Sequence, residues 1–164
     1  MNWDNFVKSG LHAAFFMTAL LLGGAAQACP DWDLKANEQH SGTGEFFYQP
    51  KSYSVIAGGS FELTKCGHIQ PATDVGSGYF TDRPDFRFDI SGMKSYELHI
   101  RVTSECDAAL LINTATATWY YDDDANGNLD PLIVLTDPAD GMIDIWVGTY
   151  DGEYCNAVLE LETF

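Results

Sequence analysis

The chain has 164 residues, with 24 acidic against 8 basic side chains, a formal net charge of −16 and 46% hydrophobic residues. That length fits one domain once a leader is removed. The charge excludes nucleic acid and anionic membrane surfaces as partners, since both would be repelled.

Residues 1–28 read as a cleavable secretory signal. Lys8 supplies the positive charge of the leading region, Ala13 to Leu22 form a short apolar run, and Gly23 and Gly24 precede Ala26-Gln27-Ala28, a small-residue processing site. The run is shorter than the roughly 20 apolar residues that span a bilayer, so no stable membrane anchor is expected. Ala26 stands where a lipobox would hold Leu, so Cys29 is read as a disulfide partner rather than a lipidated residue. The destination is the periplasm or the medium, and residues 29–164 form a single domain that keeps the full negative charge, because the leader carries one Asp and one Lys.

Strands dominate the remainder. Phe86–Ile90, Tyr96–Val102 and Ala157–Glu162 alternate apolar and polar residues, a period that puts one face on a core and the other in water. Phe46–Tyr48, Tyr53–Ile56, Phe61–Thr64, Ala109–Asn113, Thr116–Tyr121, Leu132–Leu135 and Ile143–Thr149 are further candidates, separated by turns rich in Gly, Asp and Pro. No sustained helical period follows the leader, and Cys66 to Pro84 reads as a long surface loop. The expected architecture is an all-β, antiparallel, jelly-roll-like sandwich.

Cys29, Cys66, Cys106 and Cys155 make an even count in an exported chain, hence two disulfides, with three connectivities open. Cys29–Cys66 with Cys106–Cys155 is preferred, because it would tie down the mature N-terminus and join two neighbouring strand ends. No C-x-x-C spacing points to zinc or redox chemistry.

The densest chemical cluster is Tyr121 to Pro131. Asp122, Asp124, Asn126, Asn128 and Asp130 alternate as calcium ligands do in a loop, Gly127 sits where a tight loop needs freedom in φ, and Leu129 would anchor the loop to the core. The start resembles an EF-hand loop, but the twelfth position is Ile133 and strands flank it. A solvated hairpin turn is the plainer reading, although three adjacent carboxylates repel one another and a cation would relieve them.

Three histidines follow the leader: His40 and His68 in expected loops, His99 on a polar strand face. No G-x-S-x-G is present, so a Ser-His-Asp hydrolase would have to assemble in space. Trp119 and Trp146 are read first as core packing residues, Trp146 at a sheet edge and Trp119 over the acidic loop; if exposed, they would mark a carbohydrate-binding face.

The stretches Cys106-Asp107-Ala108-Ala109-Leu110-Leu111-Ile112-Asn113, Trp119-Tyr120-Tyr121-Asp122-Asp123-Asp124, Leu129-Asp130-Pro131-Leu132-Ile133 and Gly141 to Tyr150, with Ala57-Gly58-Gly59, Cys66-Gly67 and Pro84-Asp85-Phe86 upstream, cover most of the chain after the leader. Together they resemble the pre-peptidase C-terminal domain group, and within it small exported bacterial proteins labelled peptidase-like. The resemblance implies a jelly-roll-like sandwich of the kind appended to secreted peptidases, calcium binding in some relatives, and Asp107 as a further ligand. Here the module is expected to stand without a peptidase domain. The sequence reading is therefore an exported, non-catalytic binding or structural module with a protein or glycan partner outside the cytoplasm. A secreted hydrolase or a carbohydrate-binding domain is the alternative.

Overall fold

The computed structural model describes residues 28–164, so the expected signal segment lies almost wholly outside the described residues. Eleven strands and one short helix follow in chain order: β1 Glu38–Thr43, α1 Gly44–Phe47, β2 Lys51–Ala57, β3 Phe61–Glu62, β4 Tyr79–Phe80, β5 Phe86–Ser91, β6 Glu97–Ser104, β7 Ala108–Asn113, β8 Trp119–Asp122, β9 Leu132–Thr136, β10 Gly141–Thr149 and β11 Cys155–Thr163. They form two facing sheets, the expected all-β sandwich. Among the described residues no helix is long and apolar enough to cross a membrane.

The smaller sheet runs β2-β11-β6-β9, antiparallel throughout. The larger is built around β10. On one side β10 pairs with β7, which pairs with β8; on the other it pairs first with β5 and then, at Thr149↔Tyr79, with β4, which carries β3. Strand β1 lies parallel to β5, the one departure from antiparallel pairing among the described strands.

Alternation decides which side chains meet. Phe86, Phe88 and Ile90 of β5, Ile143, Ile145 and Val147 of β10, and Leu110 and Ile112 of β7 face Leu98, Ile100, Val102, Leu159 and Leu161 of the other sheet and bury completely or nearly so. The opposite face of β7 and β10 is also dry. Ala109, Leu111 and Trp146 pack there with Trp119 and Tyr121 under a second cover made by Leu63, Ile69 and Phe80. Burial on both faces is why β7 reads as an unbroken apolar run instead of an alternating one.

The second cover belongs to the segment expected to be a surface loop. Between Cys66 and Pro84 it holds β4, buries Ile69, and runs along the β8 edge: Ala72 N donates to Trp119 O at 2.8 Å and Thr73 Oγ1 to Tyr121 O at 2.6 Å. Gly59 lets this layer approach, because a Cβ there would lie 1.9 Å from the carbonyl carbon of Phe80. Two other expectations need correction. Phe46–Tyr48 is not a strand: Thr43 Oγ1 accepts from Phe46 N at 3.0 Å and starts the single turn α1. Phe61–Thr64 keeps only two strand residues before a 3-10 turn over Leu63–Lys65.

Both disulfides take the preferred connectivity, Cys29–Cys66 and Cys106–Cys155. The first draws the N-terminal segment onto the cover; Arg87, paired with Asp144 at 2.6 Å, holds the same segment by donating to the carbonyls of Trp32 and Leu34. Trp32 then stacks on Trp119 and Trp119 on Trp146, with centroids 5.4 and 5.3 Å apart. Closing a loop of 37 residues removes unfolded-state entropy equivalent to roughly 4 kcal/mol. The paired replacement Cys29→Ser and Cys66→Ser should lower unfolding free energy by about 3 to 4 kcal/mol in urea and red-shift tryptophan emission. An unchanged spectrum would mean the cover holds without its bond.

Candidate functional site: an acidic groove beside β2

The expected ligand residues do line one loop, from the end of β8 to the start of β9, but the side chains of Asp122, Asn126 and Asp130 are already hydrogen-bonded within the protein. Asp122 Oδ2 accepts from Ala125 N at 3.0 Å and Leu132 N at 2.8 Å, closing the loop on itself. Asp130 is buried and its Oδ1 accepts from Ser104 N at 2.9 Å and Ser104 Oγ at 2.8 Å. Asn126 Nδ2 donates to Val102 O at 3.1 Å. Asp124 and Asn128 are exposed, and Asn128, like Gly127, sits at positive φ. Leu129 does not anchor the loop: its side chain is exposed, and its carbonyl instead accepts from Ala108 N at 3.1 Å. Among the described residues no three His, Cys, Asp or Glu side chains converge closely enough to hold an ion.

Crowding is nevertheless real. Partial burial raises the carboxyl pKa of Asp123, and the charges of Asp124, Asp122 and Asp107 raise it further. Asp107 is raised in the same way, by burial first and then by Asp151 and Asp124.

The histidines are dispersed. His40 lies on β1, not in a loop; its ring sits 4.5 Å from that of Tyr53 and 5.2 Å from that of Phe88, and Nε2 is 3.0 Å from Glu38 Oε2. His99, on the outer face of β6, packs 4.5 Å from Phe164, and His68 is exposed. All four cysteines are in disulfides. Trp146 is central in the larger sheet, at 0% exposure, rather than at an edge, and Trp119 is at 6%; only Trp32 of the stacked row reaches solvent. The Trp119 and Trp146 rings therefore offer no open platform to a sugar.

A cavity lies elsewhere, where β2 and β1 form the open edges of the two sheets. A groove of about 770 Å³ follows the C-terminal half of β2 and the N-terminal end of β11 and opens toward the start of β1. Ile56, Val158 and Tyr154, all exposed, give it apolar rims, and Glu38, Asp85 and Glu105 give it charge; no Lys, Arg or His lines it.

Asp85 is the built part of this groove. The β5–β10 ladder ends at Ile145↔Phe86, leaving the next N–H and C=O of β10 without a strand partner. Asp85 Oδ2 accepts from Val147 N at 2.8 Å, and Gly58 N donates to Val147 O at 3.0 Å, so both groups are satisfied. Asn37 Nδ2 donates to Asp85 Oδ1 at 3.3 Å, and Glu38 N to Asp85 O at 2.9 Å, which joins β1 to the same node. Burial to 7% exposure lifts the Asp85 pKa to about 6, against the opposing pull of the Val147 and Asn37 donors. Nothing local in the sequence reveals this residue, because Val147 lies 62 positions away.

No family model matches the chain and no curated protein does. Among solved structures it is similar to the crystal structure of Aeromonas hydrophila PliG, a periplasmic lysozyme inhibitor of g-type lysozyme, at 10% identity over 77% of this chain and 98% of that one, with a TM-score of 0.42. At that score the likeness carries neither fold detail nor function.

A carboxyl whose pKa is raised on folding stabilises the native state below its unfolded value and loses that contribution as pH climbs through the folded one. For Asp85, moving from 3.8 to about 6, the loss amounts to roughly 3 kcal/mol between pH 4 and 7. Asp85→Asn keeps an acceptor for Val147 N without the charge. Its stability relative to the parent should rise across that window in urea unfolding; a flat difference profile would show that Asp85 does not titrate there.

Proposed function

We propose that this chain is an exported, disulfide-braced binding module that receives a cationic protein partner in the groove beside β2. The observation that carries the reading is the groove's lining: three carboxylates, apolar rims and no basic side chain. Two formed disulfides support a life in an oxidising compartment, periplasm or medium. A net charge of −16 would draw a basic partner from a distance and leave the local carboxylates to set where it seats. No lining residue joins a hydroxyl to a histidine, so the groove offers binding surface more readily than the nucleophile and base of a hydrolase.

Immobilised oxidised protein should bind basic exported proteins with an affinity that falls at least tenfold between about 50 and 300 mM salt. A g-type lysozyme, the enzyme that the inhibitor described above inhibits, is one of the probes. The triple variant Glu38→Gln, Asp85→Asn, Glu105→Gln should lose most of that binding. If it binds as the parent does, the partner sits elsewhere and the groove reading fails.

Two narrower clauses belong to the same proposal. Calcium at Asp122, Asp124, Asn126, Asn128 and Asp130, with Asp107, would neutralise the crowded carboxylates. For Asp122 and Asp130 to turn both oxygens to an ion they would have to leave the N–H groups they cap, so the ion would reorganise the loop rather than drop into it. Calcium should then raise the calorimetric midpoint and a chelator lower it; a midpoint indifferent to both removes the clause. Kinship with the pre-peptidase C-terminal domain group is the other. The stretches that support it include β7, β8 and β10, where burial on both faces of the sheet itself demands apolar and aromatic residues.

A further inference from the structure

The sheet edges of this molecule are closed by different means, and of the two left open, β1 and β2, it is β2 whose Ser54, Val55 and Ile56 line the groove. Along β8, Ala72 N donates to Trp119 O at 2.8 Å, Thr73 Oγ1 donates to Tyr121 O at 2.6 Å, and Tyr121 N donates to Thr73 Oγ1 at 3.0 Å, so a loop has replaced the missing strand. Strand β3 is two residues long. At β9 the first N–H, that of Leu132, is taken by the Asp122 carboxylate at 2.8 Å, and Pro138 follows the strand end. These are the ordinary ways of blunting an edge.

Strand β2 has Pro50 just before it and Lys51 at its start, but none of these devices from Ser52 to Ala57. All seven residues pair with β11, from Cys155↔Ala57 to Leu161↔Lys51, and among the described residues its other edge makes no hydrogen bond to backbone or side chain. Lys51, at its start, is its only charged residue, and it contains no proline. Half of the N–H and C=O groups of such a strand point away from its partner. The groove wraps the β2 edge: Ser54 and Ile56 line it from the outer face, together with Asn156 and Val158 of β11 and Thr103 of β6 on that same face, and Val55 lines it from the inner face.

We infer that β2 is a docking edge, and that the cationic partner contributes an extended segment that pairs with β2 as an added strand. The inference rests on the groove reading above and specifies how the groove is used. A strand in that position sends alternate side chains to opposite sides. One set meets exposed Ile56 and Val158, and the other meets Glu38 and the node at Asp85. The fitting segment therefore alternates apolar and basic residues. A second copy of this chain is the wrong occupant, because each copy carries −16 and the edge it would present adds one Lys51.

The test uses the full, oxidised domain and fluorescently labelled ten-residue peptides read by anisotropy. One peptide alternates Arg and Val; two more carry N-methyl groups on either the Arg or the Val residues; a fourth alternates Glu and Val. Pairing along one edge predicts that the Arg-Val peptide binds, that only one of the two N-methylated forms loses tenfold or more, and that the Glu-Val peptide does not bind. Glu38→Gln with Asp85→Asn should weaken the Arg-Val peptide at least threefold. If both N-methylated forms bind like the parent peptide while the acidic variants still weaken them, strand addition is overturned and the groove reading survives. If neither the basic peptides nor basic proteins respond to the acidic variants, both fall. A concentration-dependent dimer in sedimentation, blocked by the Arg-Val peptide, would overturn the choice of occupant.

Discussion

Strand β10 has almost no wet face. From Ile143 to Thr149 every residue is buried, so the central strand of the larger sheet needs a cover on each side. The smaller sheet supplies one through ordinary sheet-on-sheet packing of alternating side chains. The other cannot be a third sheet in a domain of this size, and the chain makes it from a loop-rich segment fastened by Cys29–Cys66 and by the loop's bonds to β8. Much else follows from that demand: the close approach at Gly59, the stacked row from Trp32 to Trp146, and the Arg87–Asp144 pair that holds the N-terminal segment down.

Where local pattern and tertiary demand agree, the sequence is readable. The alternation in Tyr96–Val102 and Ala157–Glu162 becomes β6 and β11, and the Asp-rich turn falls between β8 and β9 as expected. Where a residue's neighbours lie far along the chain, the pattern misleads. Strand β1 is polar, because an edge strand wets most of its side chains, and so it passes for a turn. The segment Cys66 to Pro84 is a loop in composition and largely in exposure, yet Cys66, Ile69 and Phe80 are buried as a cover, since its apolar residues are spaced by the surface they meet and not by a local period. Trp146 carries no local sign of centrality; both its neighbours, Ile145 and Val147, face the other core.

The acidic loop and the groove make a related contrast. The loop announces itself in sequence, yet Asp122 and Asp130 act there chiefly as acceptors for backbone donors, the same work Asp140 does for Gly92 and Met93. The groove is silent in sequence, because Glu38, Asp85, Glu105 and Tyr154 come from four separate stretches and meet only when both sheets end together. Asp85, Asp122, Asp130 and Asp140 are structural pieces, each accepting from backbone N–H groups.

The pairing of β2 with β11 also bears on when the molecule can form. Ser52 and Glu160, hydrogen-bonded at 3.1 Å across that pair, stand 108 residues apart, so the smaller sheet stays incomplete until β11 is available. Long-range pairing of this kind slows closure, since the chain entropy is lost before the contacts return it. A polypeptide with such wiring stays open for as long as β11 is withheld, and takes its final shape only once that strand docks.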